Sequence, residues 1–213
     1  MGGPLEGLRI ADFCQLAQGP FSTQILGDLG ADVVKIEPIK GDWMRHWSMG
    51  NIYLNGHGIS YLTLSRNKRS IALDLKDPKG KEVALRIIGA SDALTENFRP
   101  GVMDRLGLGY ETLHALYPEL VYVASSGWGQ HGPYLSRPGQ DLLAQAVSGT
   151  TYLQGAAGPP PGVSPGGYAR GPPPGLPPPP WGGCPMLPAL LFPPTPASLP
   201  GLGPFEIRPH ARH

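Results

Sequence analysis

The sequence predicts an α/β fold: an open, mostly parallel, Rossmann-like sheet with flanking helices. Two observations carry this prediction. Short apolar segments bounded by turn-forming residues alternate with helix-spaced segments over roughly the first 150 residues. The first such group is an apolar strand, a helix of about ten residues and a second apolar strand, a βαβ unit whose strands are parallel in nearly all known proteins. Repetition of the pattern argues for one open sheet covered by helices.

Five strands are predicted, each from a short run of apolar or β-branched residues. They lie at residues 7–13, 32–38, 70–75, 92–98 and 120–127. Ligands of such sheets bind at the carboxyl ends of the strands. The polar residues that follow each strand are therefore the first candidates for a functional site.

Three helices are predicted between these strands. The first lies within residues 19–30, where Pro20 suits the first turn and Gly30 suits the C-terminal cap. The others lie at 78–91 and 109–117, the latter ended by Pro118. The segment from about residue 40 to residue 67 is predicted to be a long loop.

The composition of the chain changes near residue 155. Of the 27 prolines, eight precede this point and the remaining 19 follow it. Residues 1–154 are therefore predicted to fold, and residues 155–213 to form a disordered tail with polyproline II character. A proline-rich ligand for an aromatic groove is one alternative for the tail. Translation from a shifted reading frame or an aberrant splice is another, and the abrupt change of composition favours it.

Charge and motif content exclude several classes of function. A net charge of +1 argues against non-specific nucleic-acid binding. No GxGxxG follows the first strand and no GxxxxGK[ST] is present, so a nicotinamide enzyme or a P-loop enzyme is not expected, and Ser125 and Ser126 lack the GxSxG of a serine hydrolase. No His or Cys cluster has metal-ligand spacing, so no metal is expected.

The expected location is the cytoplasm. The two cysteines, Cys14 and Cys184, form no CxxC pair, as expected of a reducing compartment. No signal peptide or membrane helix is evident. A mitochondrial location is the alternative if a transit peptide is missing from this chain.

Asp141 is the candidate catalytic residue, at the start of the helix-forming stretch RPGQDLLAQAVSG. A carboxylate in the first turn of a helix faces unpaired N–H groups and the positive end of the helix dipole, so it stays ionised and available as an acceptor or nucleophile. Spacing alone favours a simpler interpretation, in which Asp141 caps a helix that begins with Leu142.

Four motifs, in order, resemble the N-terminal signatures of the family III CoA-transferases. They are GLRIADF with GP and LGDLGADVVKIE, then RNKRSIALDLKDPKGKE, then ENFRPGVMDRLGLGYE, and finally SGWGQHGPY with RPGQDLLAQAVSG. That family includes formyl-CoA:oxalate, carnitine-CoA and succinyl-CoA:glutarate transferases and the α-methylacyl-CoA racemases. The resemblance covers nearly all of residues 5–154 and ends near Gly155.

The resemblance implies a function and a set of site residues. The substrates would be an acyl-CoA and a carboxylic acid, with no permanently bound cofactor, and members of the family form homodimers. Asp141 would be the nucleophile, acting through aspartyl anhydride and aspartyl-CoA thioester intermediates, with backbone N–H groups near Gly127 and Gly129 as a possible oxyanion site. The residues that would line the CoA groove are Ala17, Gln18, Asn67, Lys68, Arg69, Asn97, Phe98 and Arg105.

The cations Lys68, Arg69 and Arg105 are expected to follow strands on one edge of the sheet, where they would meet the CoA phosphates. The chain also departs from the family pattern. Pro38 follows the acid of the second strand, where a basic residue is common, and the proline-rich tail contains no counterpart of the later, smaller domain with its glycine-rich loop. We therefore expect a truncated transferase with little or no activity.

Two other functions stay open. One is an acyl-CoA racemase, in which His131 or His114 would partner Asp141 in acid–base chemistry. The other is a non-catalytic CoA-binding or partner-binding fragment.

Overall fold

The computed structural model describes residues 3–148 and 206–208. Residues 3–136 and 206–208 belong to one compact unit, and residues 137–148 belong to a second. The first unit contains the sheet, and the second contributes one described helix. None of the helices in these ranges is long and apolar enough to cross a bilayer.

The main sheet has five parallel strands and a sixth, antiparallel edge strand. The strands, including a separate antiparallel pair formed by β3 and β4, are β1 (Arg9–Asp12), β2 (Asp32–Glu37), β3 (Tyr53–Leu54), β4 (His57–Gly58), β5 (Lys68–Ala72), β6 (Ala93–Glu96), β7 (Val121–Ala124) and β8 (Glu206–Arg208). The spatial order is β5-β2-β1-β6-β7-β8. Counted over the parallel strands alone, this is the 3-2-1-4-5 order of a Rossmann fold, with its switch point between β1 and β6.

Helices connect the parallel strands. They are α1 (Gln18–Asp28), α2 (Ile59–Ser65), α3 (Pro78–Gly89), α4 (Val102–Arg105), α5 (Tyr110–Leu116) and, in the second unit, α6 (Asp141–Val147). The start of α3 shows why the sequence forms a helix there. Asp77 accepts hydrogen bonds from the N–H groups of Lys79 and Gly80, and Pro78 occupies the first helical position, where an N–H group is not needed.

The core lies on both faces of the sheet. On one face, Leu94 of β6 packs in a cluster that includes Ile88 of α3 and Leu113 of α5, all three fully buried. On the other face, a smaller cluster contains Ile10 and Val33. Successive side chains of a strand point to opposite faces, so Leu94 and Glu96 lie on the first face and Thr95 on the second.

The predicted α/β class, the parallel sheet and the βαβ start are confirmed. The third parallel strand begins at residue 68 instead of 70, so Lys68 and Arg69 begin β5 and do not follow a strand. Both therefore lie at the amino end of β5, away from the carboxyl edge. The first residue of α6 is Asp141, with Gln140 as its N-cap, so the helix begins one residue earlier than expected.

The segment predicted as a long loop is structured. It contains two 3₁₀ turns (Trp43–Arg45 and Met49–Asn51), the β3–β4 pair and α2. Contacts distant in sequence organise it, which periodicity does not detect. The short helix α4 was also missed. Of the tail predicted to be disordered, Glu206–Arg208 pairs with β7, and the rest lies outside the described residues.

Candidate functional site

The switch point of the sheet lies where the chain leaves β1 and β6, and we call this position the crevice because open α/β sheets form their ligand-binding crevice there. Its two sides are joined by a pair of hydrogen bonds, which we call the Gln15–Asn97 clasp. The Gln15 N–H donates to Asn97 Oδ1 at 2.8 Å, and Asn97 Nδ2 donates to Gln15 O at 2.8 Å. In open α/β sheets, this crevice is the place where ligands bind.

The start of α1 packs against this crevice. Gly19 permits the close approach, because a Cβ atom there would lie 2.5 Å from Cys14 Cβ and 3.4 Å from Asn97 Cγ. The first N–H groups of a helix have no acceptor within it. Here they are those of Gln18 and Gly19, since Pro20 has no N–H and Phe21 already donates to Ala17 O. Such N–H groups favour an anionic ligand.

A buried ion pair lies beneath the crevice. Lys68 Nζ is 3.0 Å from Asp12 Oδ2, and the two side chains are 1% and 0% exposed. Lys68 Nζ also donates to Pro20 O at 2.8 Å and to Thr23 Oγ1 at 2.7 Å. Burial lowers the pKa of Lys68, opposed by the charge of Asp12. An ammonium group has three N–H donors, so these contacts use all of them.

A second buried pair supports the loop after β1. Lys35 Nζ lies 3.0 Å from Asp42 Oδ2 and donates to Cys14 O at 2.6 Å. Burial, followed by the nearby charge of Asp12, raises the pKa of the Cys14 thiol well above its ordinary value. The thiol is therefore neutral at physiological pH and unsuited to act as a nucleophile.

The carboxyl end of β2 is held by Glu37. Its Oε2 accepts from the Asp42 N–H at 2.7 Å and from Arg45 Nε at 2.8 Å, and its Oε1 accepts from Arg45 Nη2 at 2.6 Å and from Tyr61 OH at 3.0 Å. Burial acts to raise the pKa of Glu37, but the hydrogen bonds from Arg45 and Asp42 outweigh it and lower the pKa to about 2. Burial and the charge of Glu37 raise the pKa of Tyr61 to about 12.

A cleft of about 520 Å³ opens on the opposite face of β6. Its lining includes Glu96, Tyr110 and Tyr122. Glu96 is 4% exposed, and its Oε2 accepts from the Phe98 N–H at 2.7 Å. Burial raises the pKa of Glu96 to about 7, against the Phe98 hydrogen bond, which lowers it, and together with the charge of Asp104.

The structure brings only some of the sequence-predicted site residues together. Ala17, Gln18 and Asn97 meet at the crevice, with the Lys68 side chain beneath them. The Phe98 side chain instead packs against the main core cluster. Arg105, at the end of α4, is exposed, and a Cβ atom at cleft-lining Gly101 would lie 3.3 Å from its Nη1.

Asn67 and Arg69 lie at the other edge of the sheet. Asn67 Nδ2 donates to Asp28 Oδ1 at 2.7 Å, at the end of α1. Arg69 Nη2 lies 2.6 Å from Asp32 Oδ2, where β2 begins. These contacts fasten the amino ends of the strands, so the expectation that Lys68 and Arg69 share the carboxyl edge with Arg105 is wrong. Their role as CoA contacts stays a prediction.

Asp141 belongs to the second unit, which is described by itself. Its side chain is exposed, and Oδ2 accepts from Gln145 Nε2, one turn further along α6, at 2.7 Å. The expectation that Asp141 precedes the helix as its cap is wrong, because Gln140 is the N-cap. The expectation of a carboxylate in the first turn is confirmed, and its role as nucleophile stays a prediction.

The two histidines considered for a racemase lie in the first unit. His114 of α5 stacks on Tyr110, with ring centroids 5.3 Å apart and the planes 9° from parallel. His131 lines the cleft. The stacking on Tyr110 gives His114 a packing role within α5.

Four buried polar residues around the site were not predicted from the sequence to have these roles: Asp12, Thr23, Glu37 and Glu96. A usable signal was present for Asp12 and Glu96, because each is an acidic residue in an otherwise apolar strand and such a residue is buried only when it has partners. Ser125 is a further case. Its buried Oγ has no hydrogen-bond partner among the described residues, and it follows β7 at the carboxyl edge of the sheet.

Comparison with known proteins agrees with this geometry. The family model described as CoA-transferase family III matches residues 5–169, which extends beyond the end of the motifs near Gly155. Human succinyl-CoA:glutarate CoA-transferase is 42% identical over 164 residues, covering 76% of this chain and 37% of that protein. Acetyl-CoA:oxalate CoA-transferase of Acetobacter aceti is 42% identical over 160 residues, covering 75% of this chain and 40% of that protein.

The fold has a solved counterpart. A CAIB/BAIF family protein from Brucella suis superposes with a TM-score of 0.73 at 36% identity, covering 77% of this chain and 44% of that chain. The chain thus spans about two fifths of the length of the relatives that it matches. From its ordered motifs, its Rossmann-type sheet and the family match over residues 5–169, the chain belongs to CoA-transferase family III.

Proposed function

We propose that this chain binds CoA and acyl-CoA at the β1–β6 crevice and serves the transfer of CoA from an acyl-CoA to a carboxylic acid. The observation that carries the proposal is the Gln15–Asn97 clasp, which places the start of α1 at the switch point of the sheet. Relatives named as CoA-transferases that act with succinyl-CoA or acetyl-CoA support the substrate class.

The start of α1 at the crevice and two exposed cations at the cleft on the other face of β6 fit a ligand with several phosphates. The N–H groups at the start of α1 supply donors for an anion. Arg99 and Arg105 are exposed and form no ion pair within the described residues, so their guanidinium groups are available for phosphate. The orphaned Ser125 hydroxyl offers a further hydrogen-bonding group at the same edge of the sheet.

The covalent part of the proposal concerns Asp141. Its carboxylate would attack the carbonyl carbon of the acyl-CoA, breaking the C–S bond, forming a mixed aspartyl anhydride and releasing CoA thiolate. The thiolate would attack the aspartyl carbonyl and release the donor acid, leaving an aspartyl-CoA thioester. The acceptor carboxylate would then displace the thiolate to form a second anhydride. Attack of the thiolate on the acceptor carbonyl of this anhydride would give the new acyl-CoA and the free carboxylate.

The contacts of Asp141 support a helix-stabilising role as well as this one. The carboxylate is exposed and therefore accessible, but its Oδ2 accepts a hydrogen bond from Gln145. A side-chain pair four residues apart is a common stabilising element of a helix surface. Only a chemical experiment separates the two roles.

Calorimetric titration of the full chain with CoA tests the binding. We expect saturable binding that weakens at least tenfold in Asn97→Ala and in Arg105→Ala. Arg86→Ala is the matched control, since Arg86 is an exposed cation in the last turn of α3 and is not among the predicted CoA contacts, and we expect it to bind CoA like the wild type. Absence of CoA binding by the folded wild-type chain would contradict the proposal.

Trapping with hydroxylamine tests the covalent step. The full chain is incubated with succinyl-CoA and an acceptor acid, treated with hydroxylamine, and digested for mass spectrometry. A hydroxamate at Asp141, absent in Asp141→Asn, would support the nucleophile. Unmodified Asp141 during turnover would exclude it and leave the racemase chemistry to be tested.

A further inference from the structure

The last residues of β6 connect the two faces of the sheet. Thr95 lies on the face of α1, where its Oγ1 donates to Asp12 Oδ1 at 3.3 Å. Glu96, the next residue, lies on the face of the cleft. Asn97 then turns back to form the Gln15–Asn97 clasp. Glu96, on the face of the cleft, is therefore adjacent in sequence to Asn97, which forms the clasp at the crevice.

Glu96 fixes the turn that carries Asn97. Its Oε2 accepts the N–H of Phe98, two residues later, so the side chain closes a ring around Asn97. Its backbone oxygen accepts the N–H of Ser125 at 2.8 Å, which ties the same turn to β7. These two hydrogen bonds of Glu96 fix the turn that carries Asn97, and the Asn97 side-chain amide bonds to Gln15 from that turn.

We propose that Glu96 is a positioning residue, which acts through the Phe98 N–H to hold the Gln15–Asn97 clasp and with it the ligand-binding geometry of the crevice. The role deepens the proposed function and rests on it for the identity of the ligand. The clasp itself can be observed without any ligand.

The charge state of Glu96 sets the strength of this hold. An ionised carboxylate accepts a stronger hydrogen bond from an N–H than a neutral carboxyl does, but burial outweighs this bond and raises the pKa of Glu96 to about 7. The closed turn therefore favours the neutral carboxyl, and opening of the turn, which returns the carboxylate to solvent, becomes easier as the pH rises through neutrality. The charged and titratable groups that line the same cleft are Arg99, Asp104 of α4, Glu111 of α5 and His131.

Amide hydrogen exchange of the full chain without ligand tests the positioning role. We expect the protection factors of the Phe98 and Gln15 amides to fall by about tenfold between pH 6 and pH 8.5, because ionisation of Glu96 favours the opened turn. In Glu96→Gln, which keeps an acceptor and removes the titration, they should stay constant over this range. In Glu96→Ala both should fall below the wild-type values at every pH.

Two matched variants separate Glu96 from its neighbours. Glu111→Gln removes another carboxyl group from the cleft, and His131→Gln removes the histidine that lines it. Both should keep the wild-type response. Wild-type protection and pH response in Glu96→Gln would overturn the proposal, as would loss of the response in His131→Gln. CoA titrations of the same variants decide the proposed function separately, because the amide measurement does not require CoA to bind.

Discussion

Lys68 Nζ lies 3.0 Å from Asp12 Oδ2 in the interior of the protein, and it connects strands β5 and β1 across the intervening β2. Lys68, which the sequence predicts to be a phosphate ligand, forms a buried ion pair that connects two strands. Both charges are fully desolvated, so each depends on the other and on the Thr23 hydroxyl for compensation. Loss of one partner leaves an unpaired buried charge, which costs more than the intact pair contributes.

Lys68→Met should therefore destabilise the fold by about 3–5 kcal/mol in urea unfolding at pH 7. Adding Asp12→Asn should recover part of that loss, because the second change removes the unpaired carboxylate. Arg69→Met is the control. It breaks an exposed ion pair with Asp32, for which we expect a loss below about 1 kcal/mol. Equal losses in Lys68→Met and Arg69→Met would show that the buried pair has no special importance.

Glu37→Gln should cost stability at neutral pH and much less in acid. The pKa of Glu37 is about 2 in the folded chain, below its ordinary value of 4.5. Its contribution is therefore present above pH 4.5 and lost as the pH falls towards 2. The shift corresponds to roughly 3 kcal/mol. Urea unfolding of both proteins at pH 7 and pH 3 measures the difference, and an equal loss at the two pH values would contradict the assignment.

Glu96→Gln should show the opposite trend. The pKa of Glu96 is raised to about 7 from an ordinary value of 4.5. A raised carboxyl pKa contributes stability that is fully present below pH 4.5 and is lost as the pH rises through 7. The wild type should therefore lose on the order of 3 kcal/mol over this range from this group, whereas the variant should not. Thermal unfolding of the two proteins at pH 4.5 and pH 8 measures the change, and parallel curves would refute it.

Gly19→Ala should impair folding and CoA binding together. The new Cβ atom would lie 2.5 Å from Cys14 Cβ, which forces the start of α1 away from the crevice. Adding Cys14→Ala should relieve the defect only in part, because it removes the sulfur and leaves the Cβ contact. Gly27→Ala in the same helix is the control, with its nearest neighbour, Asn67 O, at 3.3 Å. Calorimetry of the three variants should place Gly27→Ala nearest the wild type.

The sequence was sufficient for the elements whose apolar residues repeat regularly. Strands β1, β2, β6 and β7 and helices α1, α3 and α5 follow from local periodicity and from turn residues such as Pro20 and Pro118. Asn97 and the Ala17–Gln18 turn lie beyond the ends of β6 and β1, and their role as CoA contacts stays a prediction. In these regions, local preference and tertiary packing favour the same structure.

The remaining features depend on contacts between residues distant in sequence. The segment after Lys40 was predicted to be a loop because it has no regular apolar repeat. Its structure depends instead on Glu37, which receives hydrogen bonds from Arg45 and Tyr61. Lys68 was predicted to bind phosphate because nothing local reveals that Asp12, 56 positions earlier, is its partner. A single sequence shows which residues are charged, but burial and pairing decide what the charges do.

The separation of Gln15 and Asn97 by 82 positions has a consequence for the order of folding events. The first βαβ unit can form from neighbouring residues, whereas the clasp requires a long loop to close and β6 to dock beside β1. Binding competence should therefore be among the last properties that the refolding chain acquires. A ligand that binds the finished crevice would stabilise the final docking step and leave the early βαβ unit unaffected.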